Sequence, residues 1–292
     1  MGLGVALAGG GLKSVAHIGA LKAFEDLELK IDYISGTSAG SIIAVMYALG
    51  YSLEETKGLV REYYGTLTNI DKKKVAKAIT GFMLKNTVEV EGLILGEKIE
   101  DLVNKYANAK GVYNISDISI PFAVATVDTI STKECICISR DYGLQSDDIE
   151  YITDIPIGKA IRGSMAFPGI FTTCDFGKYN FIDGGTKDNL PTKILKDMGA
   201  SSVIGVNFEL DPYTPKGNML EILLRTVDIY SIKDIISGQK NADLAIEVDA
   251  RGTSLLTIDD IDKCYNSGYN AIMNNKEKIY EMLEIKNGTN GR

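Results

Sequence analysis

The stretch ISGTSAGSIIAVMYALGY, residues 34–51, carries two signals at once. Tyr33 to Ser35 closes a short β-like run, and Ala39 to Leu49 continues as an apolar run of helical length. The segment therefore reads as strand, tight turn, helix. The turn is Gly36-Thr37-Ser38-Ala39-Gly40, a G-x-S-x-G pentapeptide in the strand–turn–helix setting that a nucleophile elbow requires. Gly36 and Gly40 suit so sharp a turn, because a Cβ atom at either position would strike the neighbouring strand or helix. Ser38 then stands at a helix N-terminus, where the dipole and free N–H groups favour negative charge on oxygen. The pentapeptide alone is common; its setting gives it weight.

Working toward the N-terminus, Leu3 to Ala8 reads as a buried first strand. Gly9-Gly10-Gly11-Leu12-Lys13 follows, and then a helix from about Ser14 to Leu27 with Val15, Ile18, Leu21 and Phe24 on one face. With residues 34–51 this makes a βαβα unit, the mark of an α/β fold with a largely parallel sheet. Successive glycines let a backbone approach a ligand and aim N–H groups at an anion. Three readings stand for this loop. A dinucleotide loop would show G-x-G-x-x-G, but Ser14 occupies the last position, and Asp32 precedes the second strand rather than ending it. An oxyanion hole would use backbone N–H groups, those of Gly10 and Gly11, beside Ser38. The third reading is a plain strand–helix turn. Both glycine-bearing loops would leave the same edge of neighbouring parallel strands, where open α/β sheets place their sites.

Further strands are expected at Phe122 to Val127, Cys135 to Ser139, Val203 to Phe208 and Ala245 to Val248. Helices are expected over Leu53 to Tyr64, Gly96 to Tyr106, Pro156 to Ser164, Asn218 to Ser237 and Asp259 to Leu283. No repeat or linker interrupts the 292 residues, so residues 1–285 read as a single domain and 286–292 as a frayed polar tail.

Tyr179 to Ile182 is strand-like and runs into Asp183-Gly184-Gly185. Alone, Asp-Gly signals a hairpin. The histidine count changes its meaning. A Ser-His-Asp triad needs an imidazole, and His17 is the one histidine, a turn into the first helix and suited to bracing the glycine loop. A nucleophilic Ser38 would then need a carboxylate as its base, and Asp183 is the best candidate. Aspartate is a weak base for a hydroxyl, so it requires a water-poor setting and a strong oxyanion hole.

These blocks resemble the patatin-like phospholipases in their bacterial form. The resemblance rests on GGGLK with AHIGALKAFED, then ISGTSAGSIIAVMYALGY, GSMAFPGIF and YNFIDGGTKDNLP, in that order and spacing. It covers about Leu3 to Val206, and Ala242 to Gly252 resembles the family's closing segment. It implies a three-layer α/β/α fold with a mostly parallel sheet and a Ser38–Asp183 dyad. It also implies an oxyanion hole in Gly9, Gly10, Gly11, Leu12 and Lys13, and hydrolysis of lipid acyl esters (phospholipids, lysophospholipids or neutral lipids) without a metal or other cofactor. Ser14 departs from the glycine usual at the end of that motif. The alternative is a lipid-binding or regulatory module of the same fold without turnover; intact Ser38, Asp183 and glycine loop argue for the hydrolase.

The remaining readings are smaller. Net charge of −8 argues against nucleic acid, which demands a dense positive surface. Thr66 to Glu91 contains Val75, Ile79, Phe82 and Met83 beside Lys72, Lys73, Lys74, Lys77 and Lys85. Such a segment is either an ordinary surface helix or one that touches a membrane surface transiently or covers an apolar cleft. Lys13 either orients its loop, meets a substrate phosphate or is a plain surface lysine. Phe167, Pro168 and Phe171 read as core packing, with an acyl-pocket lining as the alternative, and Asn189 and Pro191 as supports of the turn after Asp183. Met1 to Ala8 lacks a basic leader, and Ile42 to Leu49 falls far short of the roughly 20 residues of a membrane helix. Cys135, Cys137, Cys174 and Cys264 are too scattered for a disulfide framework. The expectation is a soluble cytoplasmic chain. A protein activator has no signature in the sequence.

Overall fold

The computed structural model describes residues 2–67, 92–94, 96–210, 219–251 and 260–289. Most of the basic segment at Thr66 to Glu91 lies outside the described residues.

The expected βαβα unit opens the chain: β1 (Leu3–Leu7), α1 (Val15–Asp26), β2 (Ile31–Thr37) and α2 (Ala39–Ala48). Helix α3 (Leu53–Leu67) follows, then β3 (Gly92–Ile94), α4 (Glu97–Ala109), β4 (Phe122–Asp128), β5 (Glu134–Ile138) and β6 (Ile149–Ile152). The next elements are α5 (Ile157–Ser164), β7 (Gly169–Phe171), β8 (Cys174–Phe176), β9 (Tyr179–Asp183), α6 (Thr192–Asp197) and β10 (Ser202–Phe208). Helix α7 (Met219–Asn241), β11 (Leu244–Val248), α8 (Ile261–Asn274) and α9 (Lys276–Thr289) complete the described chain.

The main sheet runs β11-β10-β1-β2-β4-β5-β6, with β9 joined to β4 and β8 to β9. From β11 to β4 every pairing is parallel, while β5 and β9 both lie antiparallel to β4. Strands β3 and β7 form a separate parallel pair.

Both faces of the sheet are covered. On β4 and β5 alternate residues enter different cores: Phe122, Val124, Cys135 and Cys137 join the larger one, which also holds Leu21, Ile43, Leu59 and Ile161 from the helices. Ala123, Ile136 and Ile138 turn the other way and pack with Ile194 and Met198 around α6. A strand's side chains alternate by geometry, so burial on both faces requires a layer of helices on each. The fold is therefore a three-layer α/β/α sandwich, as the βαβα pattern and the resemblance imply. Cys135 and Cys137 share a face, and both are buried free thiols.

Three expectations change. The long final helix is two, divided at Asn275 (φ −107°, ψ 11°), whose side-chain amide donates to the Ala271 carbonyl at 2.9 Å. An asparagine that bonds the local backbone competes with the helix. Helix α9 also continues to Thr289, past the tail boundary at residue 286. Finally, Asp32 lies inside β2 near its start, where it accepts from the Leu3 N–H at 3.1 Å. It is thus at the opposite end of the strand from Ser38, the wrong end for a ribose partner of the glycine loop.

Candidate active site

Ser38 is the residue on which β2 turns into α2. Its backbone adopts φ 51° and ψ −132°, in the half of conformational space that L side chains rarely enter. Such a residue costs about 1–3 kcal/mol and persists only when its surroundings fix it. Here they do. A Cβ on Gly36 would stand 2.7 Å from the Gly40 carbonyl oxygen, and one on Gly40 would stand 2.5 Å from the oxygens of Leu7 and Ala8. The Ser38 carbonyl accepts from both the N–H and the hydroxyl of Ser41, at 2.9 and 2.6 Å.

Register explains how Asp183 reaches this serine. Along one edge of β4, β2 pairs up to Thr37 opposite Ala125. The other edge is occupied by β5 over residues 123–127. On the first edge, the next position of β4, Thr126, lies opposite Asp183 of β9. Two strands running in opposite directions thus meet end to end on a shared neighbour. The residue after Thr37 and the last residue of β9 are brought together, and Ser38 Oγ donates to Asp183 Oδ2 at 2.6 Å across 145 residues of sequence.

Asp183 is buried, and its Oδ1 accepts from the Gly185 N–H at 2.8 Å. Loss of hydration on burial outweighs the two hydrogen bonds that favour its charged form and pushes its carboxyl up to about 7. The Asp-Gly-Gly turn is a 3-10 turn over Gly184–Thr186 and not a hairpin. Gly184 has no alternative there, since its Cβ would lie 2.2 Å from the Ala125 oxygen.

The glycine loop closes over the same place. Gly9 faces Ser38 so closely that a Cβ on it would stand 2.9 Å from the serine Cβ. The Gly9 N–H donates to the Asn189 carbonyl at 3.3 Å, and the Lys13 N–H to the Gly10 carbonyl at 3.2 Å. Gly11 takes φ 58° at the start of the 3-10 turn Gly11–Ser14 that leads into α1. Leu12 is fully buried. Lys13 is buried too, at 7% exposure, which removes the surface-lysine reading.

His17 does not reach toward the hydrogen-bonded pair of Ser38 and Asp183. Its Nε2 donates to the Ala8 carbonyl at 2.8 Å, its ring packs on Phe208, and burial lowers it to about 4, so it is a neutral brace under the glycine loop. Phe171 is core and Phe167 packs against that core. A small apolar cavity of about 10 Å³, the room of a single water, lies next to the elbow among Val15, Ile42, Ile43, Val60, Tyr63 and Tyr64. Cys174 is buried and its thiol raised to about 11 by burial, which leaves it inert.

Two contacts had no counterpart in the sequence reading. Ser164, inside the GSMAFPGIF block, accepts the Ser38 N–H on its hydroxyl at 2.8 Å. Behind the turn after Asp183, Thr37 Oγ1 donates to the Asp188 carbonyl at 2.8 Å. The Asp188 side chain shares a hydrogen bond with Glu134, and burial raises both, Glu134 to about 7.

The three-layer sandwich with a mostly parallel sheet, carrying a strained serine turn bonded to a buried aspartate, defines the class of fold: α/β. The family model of the patatin-like phospholipases matches residues 5–196, and the chain belongs to that family. It is 28% identical over 207 residues to patatin-like phospholipase domain-containing protein 6 of Homo sapiens, covering 70% of this chain and 13% of that protein. It is 27% identical over 214 residues to lysophospholipase NTE1 of Yarrowia lipolytica, covering 73% and 13%. The protein YqhO of Bacillus subtilis is 28% identical over 211 residues, 68% of each chain. The chain thus spans about an eighth of the length of the first two relatives (13% of each). Among solved structures, VipD from Legionella pneumophila superposes with a TM-score of 0.51 at 13% identity, over 94% of this chain and 66% of that one, a likeness of fold. No helix among the described residues is long and apolar enough to cross a membrane.

Proposed function

We propose that this chain hydrolyses carboxylic esters of lipids, with Ser38 as nucleophile and Asp183 as its base. The observation that carries the reading is the 2.6 Å hydrogen bond from Ser38 Oγ to a buried carboxyl raised to about 7. A base poised near neutrality combines the correct ionised form with a real driving force for taking a proton. Family membership and the names of the lysophospholipase relatives support a glycerolipid or lysolipid as substrate.

Asp183 takes the proton of Ser38 as its oxygen attacks the ester carbonyl. The developing oxyanion is held by the N–H groups of Gly10 and Gly11, which lie at the start of a 3-10 turn whose first donors have no acceptor within the turn. The N–H groups of Gly9 and Lys13 are already committed, and so is that of Ser38. Collapse of the tetrahedral species expels the alcohol, which takes the proton back from Asp183 and leaves an acyl-Ser38. Water attacks the acyl group, Asp183 accepts its proton, and return of that proton to Ser38 releases the fatty acid.

The test is mass spectrometry of products from mixed phospholipids, lysophospholipids and short-chain esters, with wild type beside Ser38→Ala and Asp183→Asn. Free fatty acid from wild type alone is the expected result. Turnover by folded Ser38→Ala at the wild-type rate would sink the proposal. A chain that binds lipid but neither turns over nor reacts at Ser38 with a fluorophosphonate would be the silent module instead.

A further inference from the structure

The handover from β2 to β9 along β4 leaves a gap in the ladder. Past the pair Thr37–Ala125, the chain departs into the elbow, so the Ser38 N–H and the Ala125 carbonyl have lost the strand partner that continuation of β2 would supply. Buried backbone groups left in this way need a substitute. Ser164 supplies it to both. Its hydroxyl oxygen accepts from the Ser38 N–H at 2.8 Å, and its proton goes to the Ala125 carbonyl at 2.7 Å. One fully buried side chain thus stands in for the missing rung.

The same segment also touches the other half of the dyad. Two residues further on, the Ala166 carbonyl accepts the Asp183 N–H at 3.0 Å. The end of α5 therefore holds Ser38 through Ser164 and Asp183 through Ala166, one on each side of the opening in the sheet.

We propose that Ser164 is a positioning residue, whose hydroxyl splices the opened sheet and holds the Ser38 elbow in register with Asp183. The proposal rests on the Ser38–Asp183 reading above. Ser164 touches no reacting atom; it acts by fixing the backbone from which Ser38 Oγ projects. Without that hydroxyl the left-handed Ser38 backbone loses its N–H anchor and the hydroxyl wanders from Asp183.

The molecule contains its own control. Ser139 makes a bridge of the same kind, accepting from the Phe122 N–H at 3.0 Å and donating to the Ile120 carbonyl at 3.2 Å. It is as buried as Ser164 and lies at the far end of β4 from the dyad. Ser164→Ala and Ser139→Ala therefore remove equivalent bridges, one at the site and one away from it.

The experiment compares kcat and KM on a short-chain ester, the rate of fluorophosphonate labelling and the melting temperature for wild type, Ser164→Ala, Ser139→Ala and Ser38→Ala. The expected result is a fall of about 10- to 100-fold in kcat and labelling rate for Ser164→Ala, with KM within about twofold, as small displacements of a reacting group produce. Ser139→Ala should lose similar thermal stability and keep its kcat. If Ser164→Ala does not fold, Ser164→Cys, nearly the same shape with a weak hydrogen-bonding group, is read by the same comparison. Wild-type kcat and labelling in the Ser164 variant, or an equal loss in Ser139→Ala, overturns the positioning role. Wild-type turnover by Ser38→Ala would overturn the dyad instead, so the two failures are told apart.

Discussion

Asn189 holds Gly9 from both of its polar groups: its carbonyl accepts the Gly9 N–H at 3.3 Å, and its side-chain amide donates to the Gly9 carbonyl at 3.4 Å, across 180 residues of sequence. The loop after Asp183 and the glycine loop are thereby fastened to each other beside Ser38.

Asn189→Ala keeps the backbone bond and deletes the side-chain one. We expect a stability loss of about 1 kcal/mol, the net worth of one such bond. The larger effect should fall on kcat, about tenfold, because the loop offered to the oxyanion is no longer held against Ser38. Chemical denaturation and steady-state kinetics measure the two. A wild-type kcat would mean that His17 and the 3-10 turn hold the loop unaided.

Two glycine-to-alanine changes should move stability in opposite directions. At Gly184 a Cβ would lie 2.2 Å from the Ala125 oxygen, a backbone atom at the opening of the sheet that cannot step aside. Overpacking of this kind costs about 1–3 kcal/mol or more, so Gly184→Ala should be strongly destabilised and inactive. At Gly58, exposed on α3, a Cβ meets nothing within 4 Å. Gly58→Ala should stabilise by about 0.5–1 kcal/mol through helix propensity alone. Thermal melts of the two variants check both signs, and equal shifts would contradict the contact argument.

The parts of the site that were legible in the sequence are those whose chemistry is local. Gly36 to Gly40 lies between a strand and a helix that announce themselves, and the glycine loop lies between β1 and α1, so Ser38 and its canopy follow from adjacent residues. Asp183 was singled out by a different route: with one histidine in the chain, a carboxylate became the best candidate for a base. Ser164 had no such signal. A serine at a helix end is ordinary, and its meaning comes from two partners 126 and 39 residues away. Nor could alternation alone show that β9 runs against β4 and meets β2 end to end, since register between distant strands is a tertiary fact. The break at Asn275 was hidden for the opposite reason: the apolar period continues through it, and a single local hydrogen bond decides.

His17 tests whether elimination led to the right base. Its Nε2 is bonded to the Ala8 carbonyl and its ring lies 4.8 Å from that of Phe208. His17→Ala should therefore lose about 2–4 kcal/mol of stability from the cavity and the lost bond, yet retain a substantial fraction of kcat, within about tenfold of wild type. Kinetics below the variant's melting temperature separate the effects. A folded His17→Ala as inactive as Ser38→Ala would falsify the aspartate dyad.

The pH dependence of activity and of stability should run in opposite directions through Asp183. In the proposed mechanism the base is the ionised form of Asp183, so kcat/KM should rise with pH to a plateau with a midpoint near 7. Stability carries the reverse sign. The folded carboxyl holds its proton up to about 7, whereas the unfolded one releases it near its ordinary 3.8, so the Asp183 contribution declines as pH rises between these values and is fully lost above 7. Glu134, also raised to about 7, acts in the same direction. His17 opposes them: its folded value of about 4 lies below its ordinary 6.5, so its contribution is lost as pH falls from 6.5 toward 4. Asp183→Asn removes one arm of this balance. Relative to wild type it should be more stable at pH 8 than at pH 5, with no activity at either. Melting temperatures of both proteins from pH 5 to 9 give the comparison, and a stability difference that does not change with pH would mean that burial imposes no penalty on the charged form of Asp183.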